Sequence, residues 1–248
     1  SGRKSFTENY QEIFRNDPDT DSFISINPNR TGTYGISFLM IKTAFDKDNT
    51  DNSSPLFQNF EAYRSSIKQR LDGLNNNGEY GINSQEVVIP AFVAAYSGQS
   101  PDKTDTSPFP KWPIPNWSLQ YNGLSKIPTI NEVFSTVSIS HAYSSKYDVS
   151  NFVNSPLYTS GLTLDNNLRE AGLASELNEN GDLVPVYLAQ QVVLTERMAP
   201  FIGINLRTKS SWGFNLNYDR ERNLALNLSN IQVTEMTNKA FRLTVNFA

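Results

Sequence analysis

The sequence predicts an all-β fold of antiparallel strands. Apolar residues fall at every second position in Ile202, Ile204 and Leu206, then in Trp212, Phe214, Leu216 and Tyr218. The pattern returns in Leu224, Leu226 and Leu228, and again in Phe241, Leu243, Val245 and Phe247. A period of two sends successive side chains to opposite faces of a strand, so each block has one dry and one wet face. Brief polar segments separate the blocks and are short enough for consecutive strands to pair as hairpins. Only 38% of the residues are apolar, too few for two dry faces. A meander with one wholly apolar face must cover it with other protein or with lipid.

Parity sets the expected turns. A three-residue loop at Lys209, Ser210 and Ser211 places Thr208 opposite Trp212 and keeps both apolar sets on one face. A loop at Asp219–Asn223 would place Tyr218 opposite Leu224 on that same face. Between Leu228 and Ile231 the phase flips from even to odd, which either a two-residue turn at Ser229-Asn230 or a β-bulge would correct. The bulge is preferred, because it leaves one long strand from about Arg222 to Met236. A transmembrane strand needs roughly 9–11 residues.

Composition narrows the class. With 248 residues the chain could be one large β unit or two ordinary domains. Mean hydropathy is −0.45, and the most apolar run, Val87–Tyr96, is about half the roughly 20 residues of a spanning helix. Low hydropathy is compatible with a membrane β-barrel, where only alternate residues meet lipid. It is equally compatible with a secreted β-sandwich. The net charge of −4 with scattered basic residues argues against a nucleic-acid partner. Cysteine is absent, so disulfides and thiolate chemistry are excluded within these residues. Ser1–Lys4 does not open a signal peptide, since no apolar segment follows it.

From the N-terminus, the expected elements are a short helix at Asn9–Arg15, an acidic loop, and a strand at Ser22–Asn27. Thr33–Phe45 is apolar on both faces and reads as a buried strand. A polar linker, Asp46–Ser54, precedes an amphipathic helix marked by Phe57, Phe60, Tyr63, Ile67 and Leu71 and ending near Gly73. Asn75–Gly78 is a turn. Ser84 is positioned to cap an apolar helix reaching Tyr96, with Pro90 kinking it or delaying its start. Ser107–Trp117 is too rich in proline for helix or central strand and is expected to be extended. Strands at Trp117–Tyr121 and Val133–Tyr147 follow, then a long polar loop over 151–183, with strands resuming from about Val184.

Little in the chain suggests chemistry. The single histidine, His141, has no nucleophile elbow to serve and reads as a strand residue facing a lumen or loop. Asp17, Asp19 and Asp21 start with calcium-loop spacing, but Ser22 and Pro28 occupy the positions where glycine and glutamate are required. No phosphate loop or metal-ligand cluster appears. The sequence therefore predicts a non-enzymatic protein without a cofactor.

Four stretches together carry a resemblance: Val88–Tyr96, Pro115–Ile127, Ser140–Tyr143 with Tyr147, and Pro200–Gly203 running into Asn227–Asn230. In this order they resemble the C-terminal region of the SprA/Sov proteins of Bacteroidota, over roughly residues 85–248. The resemblance implies part of a very large outer-membrane β-barrel, the protein-conducting translocon of type IX secretion and gliding motility, carrying short helical and Pro-rich insertions. Family members are many times longer than this chain, so the 248 residues would be one wall segment. On that basis residues 1–54 hold strands and polar loops, 55–116 a helical and Pro/Trp-rich insertion, and 117–248 the antiparallel strands.

The implied partners are the remainder of the same polypeptide, a barrel shuttle protein, a periplasmic plug or lipoproteins, secreted cargo and outer-membrane lipid. Candidate lumen or partner contacts are Pro90, Phe92, Trp112, Pro113, Trp117 and Tyr121. The helix around Phe92 is expected inside the barrel or against its periplasmic rim. Candidate lipid-facing residues are Trp212, Phe214 and Leu216, then Leu224, Leu226 and Leu228, and finally Leu243, Val245 and Phe247. The terminal strands are expected to pair with polypeptide outside these residues. The alternative function is a secreted or surface β-sandwich that binds glycan or peptide through Trp and Tyr.

Overall fold

A computed structural model describes residues 1–46, 53–75, 78–155 and 176–247. One antiparallel sheet dominates it, with β1 (Lys4–Asp17), β2 (Ser22–Ser37), β3 (Trp117–Tyr121), β4 (Phe134–Asn154), β5 (Tyr187–Leu188), β6 (Gln191–Thr208), β7 (Trp212–Asn227) and β8 (Gln232–Phe247). The order across the sheet is β1-β2-β4-β6-β7-β8, and β3 and β5 are further partners of β4. The sheet is open: β1 and β8 end its path on opposite sides. Two helices, α1 (Pro55–Leu74) and α2 (Gln85–Ser97), form a second layer.

The registers align side chains of like character into rows. On one face Tyr147, Leu194 and Leu224 share a row, and Val149, Val192 and Leu226 share the next. Ile36 joins the first through Tyr147, and Tyr34 the second through Val149. These residues and the whole apolar surface of α2 form one core, to which α1 contributes Leu56, Phe60, Ile67 and Leu71. Near the top of the sheet Phe152 lies across from Gly32, where a Cβ would stand 2.6 Å from the Phe152 ring. The missing side chain lets the ring cover the backbone of β2.

Both helices begin where their sequence directs. Ser54 caps α1 by accepting from the Phe57 N–H at 3.4 Å, and Pro55 takes the first-turn position, where its missing N–H is harmless. Ser84 stands at the N-cap of α2 without a side-chain cap bond, and Gly98 closes that helix in the left-handed conformation. Pro90 lies inside α2, which starts at Gln85, so the proline does not delay it. The Pro-rich segment has no helix or strand before Trp117. It is strapped down by Tyr147, whose hydroxyl donates to the Pro108 carbonyl at 2.7 Å, and by the Ile114 N–H, which donates to the Ser37 carbonyl. Phe109 inserts its ring into the core.

Several expectations are corrected. Asn9–Arg15 is strand: β1 pairs with β2 throughout, and a bulge between Gln11 and Ile13 shifts its parity. The bulge spaces Tyr10, Ile13 and Phe14 as a helix would. The strand expected to reach Phe45 stops at Ser37, and Ile41–Thr43 is a 3-10 turn. β4 continues to Asn154, taking the first residues of the expected 151–183 loop. Residues 156–175 of that loop, most of the 46–54 linker and Asn76-Asn77 lie outside the described residues. The loop at Lys209–Ser211 is present, but the one at Asp219–Asn223 is not, because β7 runs unbroken through it. The preferred bulge with its long strand is also absent. Leu228–Ile231 is a turn, and Ile231 has a positive φ. The sandwich alternative requires a second packed sheet; the strands described here form one sheet, covered in part by helices.

Glu86 generates a test of the helical layer. Burial pushes its carboxyl from an ordinary value near 4.5 up to about 7, against the lowering effect of its own backbone N–H and the neighbouring Ser84. Its Oε2 is buried without a hydrogen-bond partner. The folded state therefore holds a proton that the unfolded state has released between pH 4.5 and 7, so stability falls as pH rises through that window. Above it the cost reaches the order of 3 kcal/mol. Glu86→Gln should abolish this pH dependence, read as hydrogen-exchange protection of α2 at pH 5 and pH 8 after correction for intrinsic rates.

Candidate functional site: the two faces of the sheet

The helices cover only part of the apolar face. Below the covered rows, three further rows continue on the same side: Met198, Arg220 and Lys239 come first after a polar row, followed by Ile202, Tyr218 and Phe241, then Ile204, Leu216 and Leu243. Leu206, Phe214 and Val245 form another, and Trp212 stands opposite Phe247 at the end. Ile139 on β4 joins through Ile204, and Tyr121 on β3 joins through Ile139. Leu243 is 56% exposed, Phe247 68% and Tyr121 59%. Water-facing surfaces rarely carry so large a continuous apolar patch.

The other face of these strands is polar. At the same level it presents Thr136, Ser138 and Ser140 from β4, and Gly203, Asn205 and Arg207 from β6. From β7 and β8 come Gly213, Asn215 and Asn217 with Arg242, Thr244 and Asn246. The alternation seen in the sequence is thus a physical division into an apolar side and a side of amides, hydroxyls and arginines.

A buried polar row separates the covered and bare parts of the apolar side. Ser145, Glu196 and Arg222 are buried there in one register row, which ends on the exposed Thr237 of β8. Glu196 and Arg222 are 3% and 2% exposed. Arg222 donates through Nη1 to the Thr43 carbonyl at 2.8 Å and to Thr43 Oγ1 at 3.1 Å, and through Nε to Glu235 at 2.8 Å. The Tyr143 hydroxyl donates to Glu196 at 2.9 Å and accepts from the Met40 N–H at 3.1 Å. These bonds pin segment 40–43 across the sheet and satisfy charges that burial would otherwise make costly.

The predicted residues divide unevenly. Trp212, Phe214, Leu216, Leu243, Val245 and Phe247 lie in the bare band. Leu224 and Leu226 share their face but are fully buried, and Leu228 packs against the same core, so these three are corrected to core residues under the helical layer. Phe92 and Pro90 are also interior: α2 buries both, leaving neither for a partner. Moreover, α2 lies on the apolar side, opposite the polar face, and not on the side expected to line a lumen. Trp117 and Tyr121 also belong to the apolar side, with the Trp117 ring stacked on Tyr143 at 4.4 Å. His141, expected to face a lumen or loop, instead shares that side and bonds the Phe201 carbonyl through Nδ1 at 2.7 Å. Trp112 alone among the contact candidates is fully displayed, at 84% exposure; Pro113 beside it is half-buried.

Alternation put Ile202 and Ile204 on the dry face though not among the lipid-facing candidates, whereas Ile139 in the band and Glu196 and Arg222 in the seam carried no such reading. Arg220 and Arg222 carried a usable signal: both keep the even parity of Tyr218 and Leu224. No group of three His, Asp or Glu side chains among the described residues could hold a metal ion. Among those residues no helix is long and apolar enough to cross a membrane, which leaves β-strand spanning untouched. No protein-family model matches the chain, and a comparison with curated proteins finds none similar to it.

Arg222→Met should loosen segment 40–43 by removing the Arg222 bonds to Thr43 and part of the positive field around buried Glu196, at about 1.5–3 kcal/mol for each charged hydrogen bond lost. Adding Glu196→Gln should recover part of that loss. Limited proteolysis near Phe45 compares the two variants; equal cleavage would show that Arg222 acts independently of Glu196.

Proposed function

We propose that this chain is a wall segment of an outer-membrane β-barrel, and that the barrel is a protein-conducting translocon of the kind the sequence resemblance implies. One observation supports a membrane wall above all: a bare apolar band running across β4, β6, β7 and β8, directly behind a polar face on which the described strand residues at that level include no aromatic ring. A sheet in water gains nothing from such a band, whereas a barrel wall needs lipid on one side and water on the other. From Trp212 to Tyr218 the band measures roughly 20 Å along the strand. Tilted by the roughly 40° of barrel strands, it spans about 15 Å of the bilayer normal, short of the ~25 Å apolar belt of outer-membrane barrels.

The polar face then borders the conduit, and α1 and α2 sit outside the wall beyond the bilayer, shielding strand rows that lipid cannot reach. In lipid each unsatisfied backbone group costs several kcal/mol, so the outer edge of β8 takes a neighbouring strand. That neighbour, and the one beside β1, belong to the rest of a longer polypeptide. No catalytic step is assigned; the proposed work is conduction of secreted cargo, with the shuttle, plug and lipoprotein partners those of the resembled family.

The absence of cysteine in these residues makes site-directed spin labelling direct. Labels at Leu216 and Leu243 should be accessible to oxygen and shielded from a water-soluble nickel reagent in membranes, and labels at Asn217 and Thr244 the reverse. Labels at Leu216 and Leu243 that are instead open to the nickel reagent would overturn the membrane assignment. Leu216→Arg should destabilise the inserted barrel by about 2–4 kcal/mol, and Asn217→Arg much less, as judged by urea unfolding in the same lipid.

A further inference from the structure

Where the bare band ends, two cations stand side by side. Arg220 on β7 pairs in register with Lys239 on β8, one row beyond Tyr218 and Phe241. Both follow the parity of the band, so both side chains leave the sheet on the apolar side. Like charges directly opposite on adjacent strands destabilise a sheet. Among the described residues neither forms an ion pair; those present involve Arg30, Lys68, Lys146 and Arg222.

The carboxylates nearby in sequence or register do not resolve the repulsion. Asp219 and Glu221 point to the other face by parity. Glu196 attracts Arg220 through space but forms no ion pair with it; its carboxylate accepts from Tyr143 and stands opposite Arg222. Glu235 is bonded to Arg222. Arg220 Nε is buried with no hydrogen-bond partner. Its guanidinium lies 4.7 Å from the centre of the Phe45 ring, which holds the planar group in place.

We propose that Arg220 and Lys239 together bind the phosphate of an anionic lipid headgroup, whose acyl chains lie down the bare band over Phe241, Leu216 and Leu243. This site rests on the membrane assignment above. Adjacent strands are about 4.8 Å apart, so one phosphate can bridge both cations with charge-assisted hydrogen bonds. The anion removes the repulsion between them. Long basic side chains at the end of an apolar strand also place their heads at headgroup depth while their stems extend the apolar surface, narrowing the shortfall in band height.

The test uses the full-length protein in nanodiscs of phosphatidylcholine containing a minor fraction of spin-labelled phosphatidylglycerol. The readout is the immobilised fraction relative to spin-labelled phosphatidylcholine. Wild type should retain phosphatidylglycerol preferentially, by roughly fivefold for each contributing cation. R220Q/K239Q should bring the ratio to parity, and R242Q, on the opposite face, should leave it unchanged. K239Q alone serves if the double variant fails to fold, because Lys239 is exposed, and it should lower the preference severalfold. Millimolar inorganic phosphate should not displace the lipid; displacement would reassign the site to free phosphate. No preference in wild type, or a preference indifferent to K239Q and R220Q/K239Q, would overturn the proposal. The spin labels at Leu216 and Leu243 distinguish this from failure of the membrane assignment: oxygen-accessible labels with no lipid preference reject only the headgroup site.

Discussion

All of this architecture follows from a single constraint: β4, β6, β7 and β8 put most of their large apolar side chains on the same side. A sheet so built must hide that side along its whole length. The chain does so in part, with α2 and α1 laid over the rows of Leu194, Leu224 and Val192, Leu226. Burying a Leu or Val side chain is worth about 1.5–3 kcal/mol, and α2 buries nearly every side chain it has. The other part is left to whatever surrounds the protein.

The buried row of Glu196 and Arg222 explains how one strand face can serve two environments. An uninterrupted apolar face would offer no mark at which the helical cover should stop. Arg222 supplies one, since it requires the Thr43 carbonyl and Glu235 and so fixes where segment 40–43 crosses. Such a polar row is a costly way to gain stability; its value lies in specifying position. Phe45 then stands at the lower margin of the cover, against Phe201 and Arg220.

The strands of the C-terminal part were legible because alternation is a local signal that survives any change of partner. Loop positions were less so. Asp219–Asn223 carries four charges and reads as a turn, yet two of those charges serve the polar face and two the apolar seam, a division visible only when both neighbouring strands are in place. The identity of what covers Leu224 and Leu226 was equally hidden: their parity matches that of Leu216, and only the docking of α2 separates core from bare surface. Conversely, Tyr10, Ile13 and Phe14 imitate a helix because a bulge adds one residue to a strand. Helix α1 and the start of α2 were read correctly, the first from the helical spacing of Phe57, Phe60, Ile67 and Leu71 and the second from Ser84, signals that do not depend on tertiary contacts.

One edge of β4 is shared end to end by two different strands: β2 pairs with Lys146–Val153 and β3 with Ile139–Tyr143. β1 extends the sheet beyond β2, whereas none of the described strands lies beyond β3. The margin of the sheet on this side is therefore stepped by one strand width, about 4.8 Å, at the level where Ile114 and Asn116 cross from Ser37 towards β3. A straight neighbouring strand can follow the upper tread or the lower one, but not both. Any wall built onto this margin must jog, change strands at the step, or leave one tread unlined. The joint thus behaves like a mortise, accepting only a neighbour cut to the same offset.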